Sequence, residues 1–519
     1  MMVIFWRTGL ISVFLLFLSR ISGLLRESAL AAAFGVGTLA DAVVLMLTLP
    51  DLIVGVLLGG ALSYVLLPQW ARLAGPKLQS LQQRQLFWVL GLGLLTAAAV
   101  WAGQNMLLPW LAPVLTMSAP TLAQASLGWA VLVLPLAIWA AWGGTRLQHR
   151  SDLVGLYIAN LAVNATLIAG LIAIAWAGAS RGAAASAQHA MGACLLLAML
   201  ARLAWQHRRL AQPDGLLAHV PNADTGTAFE PSSQAHRPWV VWTSAVLCAG
   251  MPLAAYLLAR SLASAQGPGA LMQFNLAWKL VELPQVLLIQ VVAMLALPRL
   301  SRAAAHATPL GELPAWQTEL RKTLALAMAL SCAATVALHW SGHALAVLLY
   351  GWGAMPTASL TELTLWAQRG AWSLPAQAMV AMLVALLAAQ QRLVTAAMAW
   401  TAVALPASVW MLVNQGQWST GLASMGWLST LWWAAALSLL SAVSWFAREH
   451  TGWLTVLLRD IWAPLLLVVI STVTLWGFDP PMRHATGVLG WLGGLAGAFC
   501  VMAISWWASP GLRDALRKG

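Results

Sequence analysis

The chain has 519 residues, 61% of them hydrophobic and only 8% charged, with a net charge of +12. A soluble domain devotes about a quarter of its residues to charge, so composition excludes an ordinary soluble protein and points to a polytopic membrane protein. The basic excess is not a nucleic-acid signal, because Lys and Arg sit in short segments between apolar runs and form no basic-aromatic module.

A spanning helix needs roughly 20 mainly apolar residues. About fourteen segments qualify: 9–33, 39–67, 86–111, 123–145, 153–177, 187–206, 239–263, 270–298, 322–349, 363–389, 393–414, 422–446, 453–476 and 485–508. Arg7 followed by an apolar run starts like a signal peptide. No small-residue cleavage site follows and the run continues past Arg20, so 9–33 is read as the first span. The ninth is the least regular and could end near His339, leaving a re-entrant piece to Leu349. Cys194, Cys248, Cys332 and Cys500 are isolated in apolar runs, with no spacing that suggests a disulfide framework or zinc site.

Charge sets the expected orientation. With the N-terminus inside, cytoplasmic segments hold Arg7; Arg72, Lys77, Arg84; Arg146, Arg150; Arg202, Arg208, Arg209, Arg237; Arg299, Arg302, Arg321, Lys322; Arg392; Arg448, Arg459; and Arg513, Arg517, Lys518, whereas the opposite loops hold only Arg181 and Arg483. This asymmetry predicts cytoplasmic N- and C-termini. Residues 207–238 form the one long polar insertion, rich in Pro, Gly, Ser, Thr and Asn, and read as a flexible cytoplasmic linker. The expected organisation is an N-lobe of six helices (1–206), the linker, a C-lobe of six helices (239–447), and a last pair of helices with a cytoplasmic C-terminus (448–519).

An internal echo crosses the linker. Leu49-Pro50 is followed by LPQWAR at 67–72, and Leu283-Pro284 by LPRLSR at 297–302. Interrupted helices in matching positions of two halves point to a transporter with its site between them; coincidental helix prolines are the plainer alternative.

The stretch 20–72 also carries Arg20, Arg26, Glu27, Asp41 and Asp51 inside apolar runs. Ionisable groups at membrane depth cost ~3 kcal/mol or more each, so they mark a protein interior or a wet cavity. Arg20 and Asp51 fall midway along the first two spans, running in opposite directions, and could meet. Lys279 and Glu282 are three apart and therefore helix neighbours. One reading makes Arg20–Asp51 and Lys279–Glu282 structural pairs. The other lines a cavity with cations that grip a phosphate-bearing head group, Arg bidentately and Lys as a point charge. Arg260 and Arg369 lie toward helix ends, where snorkelling serves as well as a cavity role. There is no GxxxxGKS/T, no HExxH and no recognisable Ser/His/Asp arrangement, so no enzyme, cofactor or metal site is expected.

The segments SRISGLLRES (19–28), FGVGTLADA (34–42), LPDL (49–52) and GGALSYVLLP (59–68), with LAWKLVELPQVLLIQVVAMLALPRLSR (276–302), resemble the signatures of the MurJ (MviN) family of lipid II flippases. That family belongs to the multidrug, oligosaccharidyl-lipid and polysaccharide exporters. The resemblance implies an all-α polytopic fold of two six-helix lobes around a central cavity plus two C-terminal helices. It implies an undecaprenyl-pyrophosphate-linked substrate moved across the bacterial inner membrane by alternating access. Substrate-binding roles carry over to Arg20 and Arg26, and to Lys279 at an Arg position. Asp41, and Glu27 at an Asp position, become cavity or coupling charges, beside Asp51 and Glu282.

This chain departs from the family pattern where Asp51 replaces an Asn, where Val54 and Gly55 stand for a basic pair, and where Gly59 and Trp278 replace acids. Cavity charge is thereby reduced. The expected function is a lipid II flippase. The alternatives are a flippase for O-antigen or exopolysaccharide intermediates, an ion-coupled drug antiporter, and a non-transporting scaffold for glycan synthesis. Expected partners are the polyprenyl-pyrophosphate-linked glycan and the bilayer, with cell-wall or glycan-synthesis proteins as further candidates, and no nucleic acid.

Overall fold

The structure is a computed structural model. It describes residues 2–56, 66–67, 69–70, 73, 75–150, 152–177, 184–212, 238–305, 315–447, 453–478 and 487–517. All of the regular structure among these is helical, and the chain is an all-α polytopic membrane protein. Among the described residues, thirteen helical stretches, the first beginning at Thr38, are long and apolar enough to cross a membrane. Preceding them, the first predicted span forms α1 (Met2–Phe34), 33 residues long and so about 50 Å.

Contacts divide the chain into two units, Met1–Leu253 with Gly267–Met272, and Ala254–Gln266 with Gln273–Gly519. The first contains α1, α2 (Thr38–Val56), α3 (Gly75–Ala102), the short α4 (Gln104–Leu111) and α5 (Pro113–Ser118), α6 (Pro120–His149), α7 (Leu153–Trp176) and α8 (Ala184–Ala211). Of the expected linker, residues 207–211 continue α8, Pro238 opens the next helix, and 213–237 lie outside the described residues. So do Gly59, Gly60, Arg72, Arg181 and Arg483.

Small residues let the helices of this unit approach closely. Residues Ala40–Met46 of α2 are buried, and α6, whose Ala123, Ala130 and Ala137 are also fully buried, packs against α2. Gly192 of α8 lies so close beneath the Trp129 ring that a Cβ there would overlap it. Close backbone approach of this kind is how helices associate where lipid removes the hydrophobic drive. Buried polar groups are tied together: Ser126 donates to the Ala42 carbonyl at 2.6 Å, and Gln188 donates to Ser126 at 2.7 Å and to the Leu122 carbonyl at 2.6 Å. On α3, by contrast, Phe87 and Trp88 are 77% and 72% exposed, a face suited to acyl chains rather than water.

The second unit starts within α9 (Pro238–Ala263) and continues through α10 (Ala270–Pro284), α11 (Gln290–Ala305), α12 (Ala315–Tyr350), α13 (Thr357–Ala371), α14 (Ser373–Ala389), α15 (Leu393–Val413), the single turn α16 (Gln415–Trp418), α17 (Gly421–Phe446), α18 (Trp453–Phe478), α19 (Val488–Ala508) and α20 (Pro510–Arg517). Its spine is α12, which runs unbroken through His339. The expected alternative of a stop there does not occur. His339 is buried, its carbonyl accepts from Gln368 Nε2 at 2.9 Å, and its Nδ1 lies 3.3 Å from Ser471 Oγ. Partners from α13 and α18 thus hold this polar residue inside the second unit. Pro284 closes α10 and a π-helical turn, Gln285–Ile289, follows. A proline removes one backbone donor and clashes with the carbonyl four residues back, which accounts for the wider register there. Pro50 breaks nothing comparable, since α2 continues through it to Val56.

Candidate functional site

The first unit concentrates its charge where α1 and α2 meet. Arg26 and Glu27 are consecutive on α1, so their Cβ atoms diverge by about 100° around the helix, and the long arginine side chain closes the gap. Arg26 Nη2 donates to Glu27 Oε1 at 2.7 Å and to Asp51 Oδ2, across on α2, at 3.2 Å. The Arg26 and Glu27 side chains are 11% and 4% exposed and that of Asp51 is 51% exposed. One guanidinium is thus held between a buried carboxylate and an open one.

The expected Arg20–Asp51 pair does not form. Asp51 reaches α1 at Arg26, six residues and about 9 Å further along the helix. Arg20 is exposed, within electrostatic reach of Tyr157 on α7. Two residues further on, Ser22 accepts a 2.8 Å hydrogen bond from Asn164, which fixes α1 against α7.

Asp41 is buried at the start of α2. Its Oδ2 accepts from the Gly269 amide at 2.6 Å and its Oδ1 from the Met272 amide at 2.8 Å. These are the otherwise unsatisfied donors at the start of α10, and a carboxylate there also complements the helix dipole. Residues 267–272 belong to the first unit, so the contact lies inside it. Gly269 has φ +91°, and a Cβ on it would strike Val36 and approach the Gly37 nitrogen at 2.8 Å. The GPG turn thus seats Gly269 directly on the Val36 side chain and the Gly37 backbone of the FGVG turn, which leaves no room for a side chain at position 269.

In the second unit, Lys279 Nζ donates to Glu282 Oε2 at 2.6 Å, each side chain 30% exposed. The predicted i,i+3 pair therefore exists, and both groups stay partly open. Arg260 does not snorkel: it is 3% exposed and lies 5.7 Å from the Tyr256 ring centroid. Arg369 is exposed.

Sequence reasoning missed several charged residues. Arg202 was expected among the cytoplasmic basic residues, but its side chain is buried inside the first unit. Asp152 caps α7 through the Gly155 amide at 2.8 Å and takes two 2.9 Å bonds from Arg209. Asp460 on α18, 1% exposed, pairs with Arg321 of α12 and accepts from Ser509 at 2.9 Å and the Gly511 amide at 3.1 Å, docking α20. A charge one or two turns from a helix end reads the same in sequence whether it faces inward or outward.

A family model described as the lipid II flippase MurJ matches residues 30–489. A solved structure of the lipid II flippase MurJ in an inward closed conformation is similar over 98% of this chain and 100% of that one, at 14% identity and a TM-score of 0.74. An inward-facing multidrug resistance MATE family transporter of the MOP superfamily is similar over 85% of this chain and 99% of that one, at 13% identity and a TM-score of 0.59. For a MOP superfamily transporter from Pyrococcus furiosus the shares are 85% and 94%, at 14% identity and a TM-score of 0.55. The curated proteins give no match. At these identities the solved structures speak for the fold alone. The family model spans most of the chain, and the chain belongs to the MurJ lipid II flippase family.

Proposed function

We propose that this member of the MurJ lipid II flippase family carries lipid II, an undecaprenyl-pyrophosphate-linked peptidoglycan precursor, from the inner to the outer leaflet of the bacterial inner membrane by alternating access. The observation that carries this reading is the Arg26 guanidinium, held in a membrane-spanning helix by Glu27 on one side and the half-exposed Asp51 on the other. Such a cation is charged at any pH a cell meets. The longer bond, to the open carboxylate, is the one an entering pyrophosphate displaces. Phosphate then takes the planar donors of Arg26 bidentately while Glu27 keeps the side chain in place. Arg20 contributes further positive charge to the approach within the first unit, and Lys279 is the proposed substrate cation of the second. Glu27, Asp51 and Glu282 hold the cations when substrate is absent, and Asp41 couples the FGVG turn to the start of α10. The basic residues between spans put both termini in the cytoplasm.

A second reading has its own support. Val54 and Gly55 stand where the family carries a basic pair, and Trp278 where it carries an acid. A flippase for another lipid-linked glycan, of the O-antigen or exopolysaccharide kind, suits the reduced charge. Complementation of a strain whose lipid II flippase can be switched off separates the two. Rescue by wild type and not by Arg26→Ala, with the variant confirmed folded and in the membrane, is the expected result. Rescue by both keeps lipid II as substrate and discards the role of Arg26. No rescue, with the protein confirmed in the membrane, transfers the assignment to another lipid-linked glycan or to a scaffold for glycan synthesis.

A further inference from the structure

The Arg202 side chain is the least compensated charge described in the first unit. It projects from α8 and is 3% exposed, and its Nε and Nη2 have no hydrogen-bond partner. A guanidinium always carries its charge, and an unpaired buried charge is among the most expensive groups a fold can hold. The protein elsewhere shows how it satisfies arginines that only stabilise packing: Arg209 has two bonds to Asp152, and Arg321 is paired with Asp460. Arg202 has no such partner. The carboxylate that acts on it electrostatically is Asp51, which is also bonded to Arg26 at 3.2 Å and is half exposed. The helix that carries Asp51, α2, packs against both α1 and α8, so Asp51 is bonded to one arginine and within electrostatic reach of another, and Arg26 Nε is unpartnered as well. The α2 positions that follow, Val54 and Gly55, bring no cation of their own.

We propose that Arg202 is a substrate-binding residue, the second arginine of a pyrophosphate site whose first is Arg26 and whose occupant in the empty state is Asp51. This deepens, and rests on, the lipid-pyrophosphate reading above. The chemistry is anion exchange. A diphosphate entering beside Asp51 brings the acceptors that Arg202 lacks, and with two phosphoryl groups it can engage both guanidinium forks at once, which a single carboxylate cannot.

The sign of a stability change tests it. Full-length wild type, Arg202→Met and Arg202→Lys are purified in detergent. Melting temperature is followed against undecaprenyl pyrophosphate, undecaprenol and inorganic pyrophosphate. Without ligand, Arg202→Met melts about 2–4 °C higher than wild type, because an uncompensated charge is gone. It binds undecaprenyl pyrophosphate roughly tenfold or more weakly, while Arg202→Lys, which keeps charge without the fork, falls between. Undecaprenol distinguishes none of the three. A ligand-free Arg202→Met that melts lower or does not fold makes Arg202 a structural residue and overturns the inference, as does undiminished binding by Arg202→Met. If inorganic pyrophosphate stabilises wild type but not Arg202→Met, and the polyprenyl form does nothing, the anion site stands and the flippase reading fails. If neither diphosphate stabilises wild type, the inference fails.

Discussion

Inside a membrane-spanning helix a charge cannot be neutralised by bulk water, so the exposure of its partner decides what its removal does. Arg26 faces one buried and one open carboxylate. Arg26→Ala takes the cation from Glu27, whose side chain is 4% exposed; breaking a buried pair costs about 3–5 kcal/mol, and the variant is expected to melt well below wild type. Asp51→Asn removes a partner that is 51% exposed, worth less than about 1 kcal/mol to stability. Asp51→Asn should therefore keep its melting temperature within about 2–4 °C of wild type while altering transport in a reconstituted flipping assay. Equal losses of stability in the two variants would mean that Asp51 is a structural partner and not a displaceable one. The charges themselves were legible in sequence, because Arg20, Arg26, Glu27, Asp41 and Asp51 each interrupt an apolar run. Their pairing was not. Depth along two straight helices suggested Arg20 for Asp51, and only the packing of α1 on α7 and α2 sets the meeting point at Arg26.

At the scale of elements, span positions were the most legible feature, since apolar length is a direct physical requirement of crossing a bilayer. Where helices break was less so. Pro50 and Pro284 look alike in sequence, yet only Pro284 precedes a π-helical turn, because a helix absorbs a proline according to what packs around it. The junction of the FGVG and GPG turns was not visible at all: it joins Asp41 to the Gly269 and Met272 amides across more than two hundred residues. Gly269→Ala tests its tightness. Its left-handed φ of +91° and the contact of a new Cβ with Val36 predict a loss of about 1–3 kcal/mol, read as a lower melting temperature. Asp41→Asn turns one acceptor into a donor facing an amide and should cost a similar amount. Because both changes act on one junction, the double variant is expected to lose less than the sum of the two. Strict additivity would show that the glycine and the aspartate serve separate contacts.

For the whole molecule, the deciding element is α1. Among the described residues thirteen stretches are long and apolar enough to cross, the first from Thr38; α1 precedes them, and between Thr8 and Leu25 its sequence is mainly apolar with Arg20 as the one charge. An odd number of crossings would put the termini on opposite sides of the membrane, and α1 as a fourteenth puts them on the same side. Its 33 residues give ample length, and two of its four charges, Arg26 and Glu27, are buried against protein rather than lipid, which removes the main objection to its crossing. The basic residues argue the same way. Even with Arg202 moved from the cytoplasmic group into the first unit, the remaining loop and terminal Lys and Arg lie overwhelmingly in alternate segments, with Arg181 and Arg483 the exceptions. The expected outcome is that Arg7→Cys and Arg513→Cys, each in a background with the four native cysteines replaced, react with a membrane-impermeant maleimide only after the inner membrane is permeabilised. Labelling at position 7 but not 513 in cells with an intact inner membrane would mean that α1 does not cross. It would also take Arg26 away from membrane depth, and with it the pyrophosphate site assigned to the first unit.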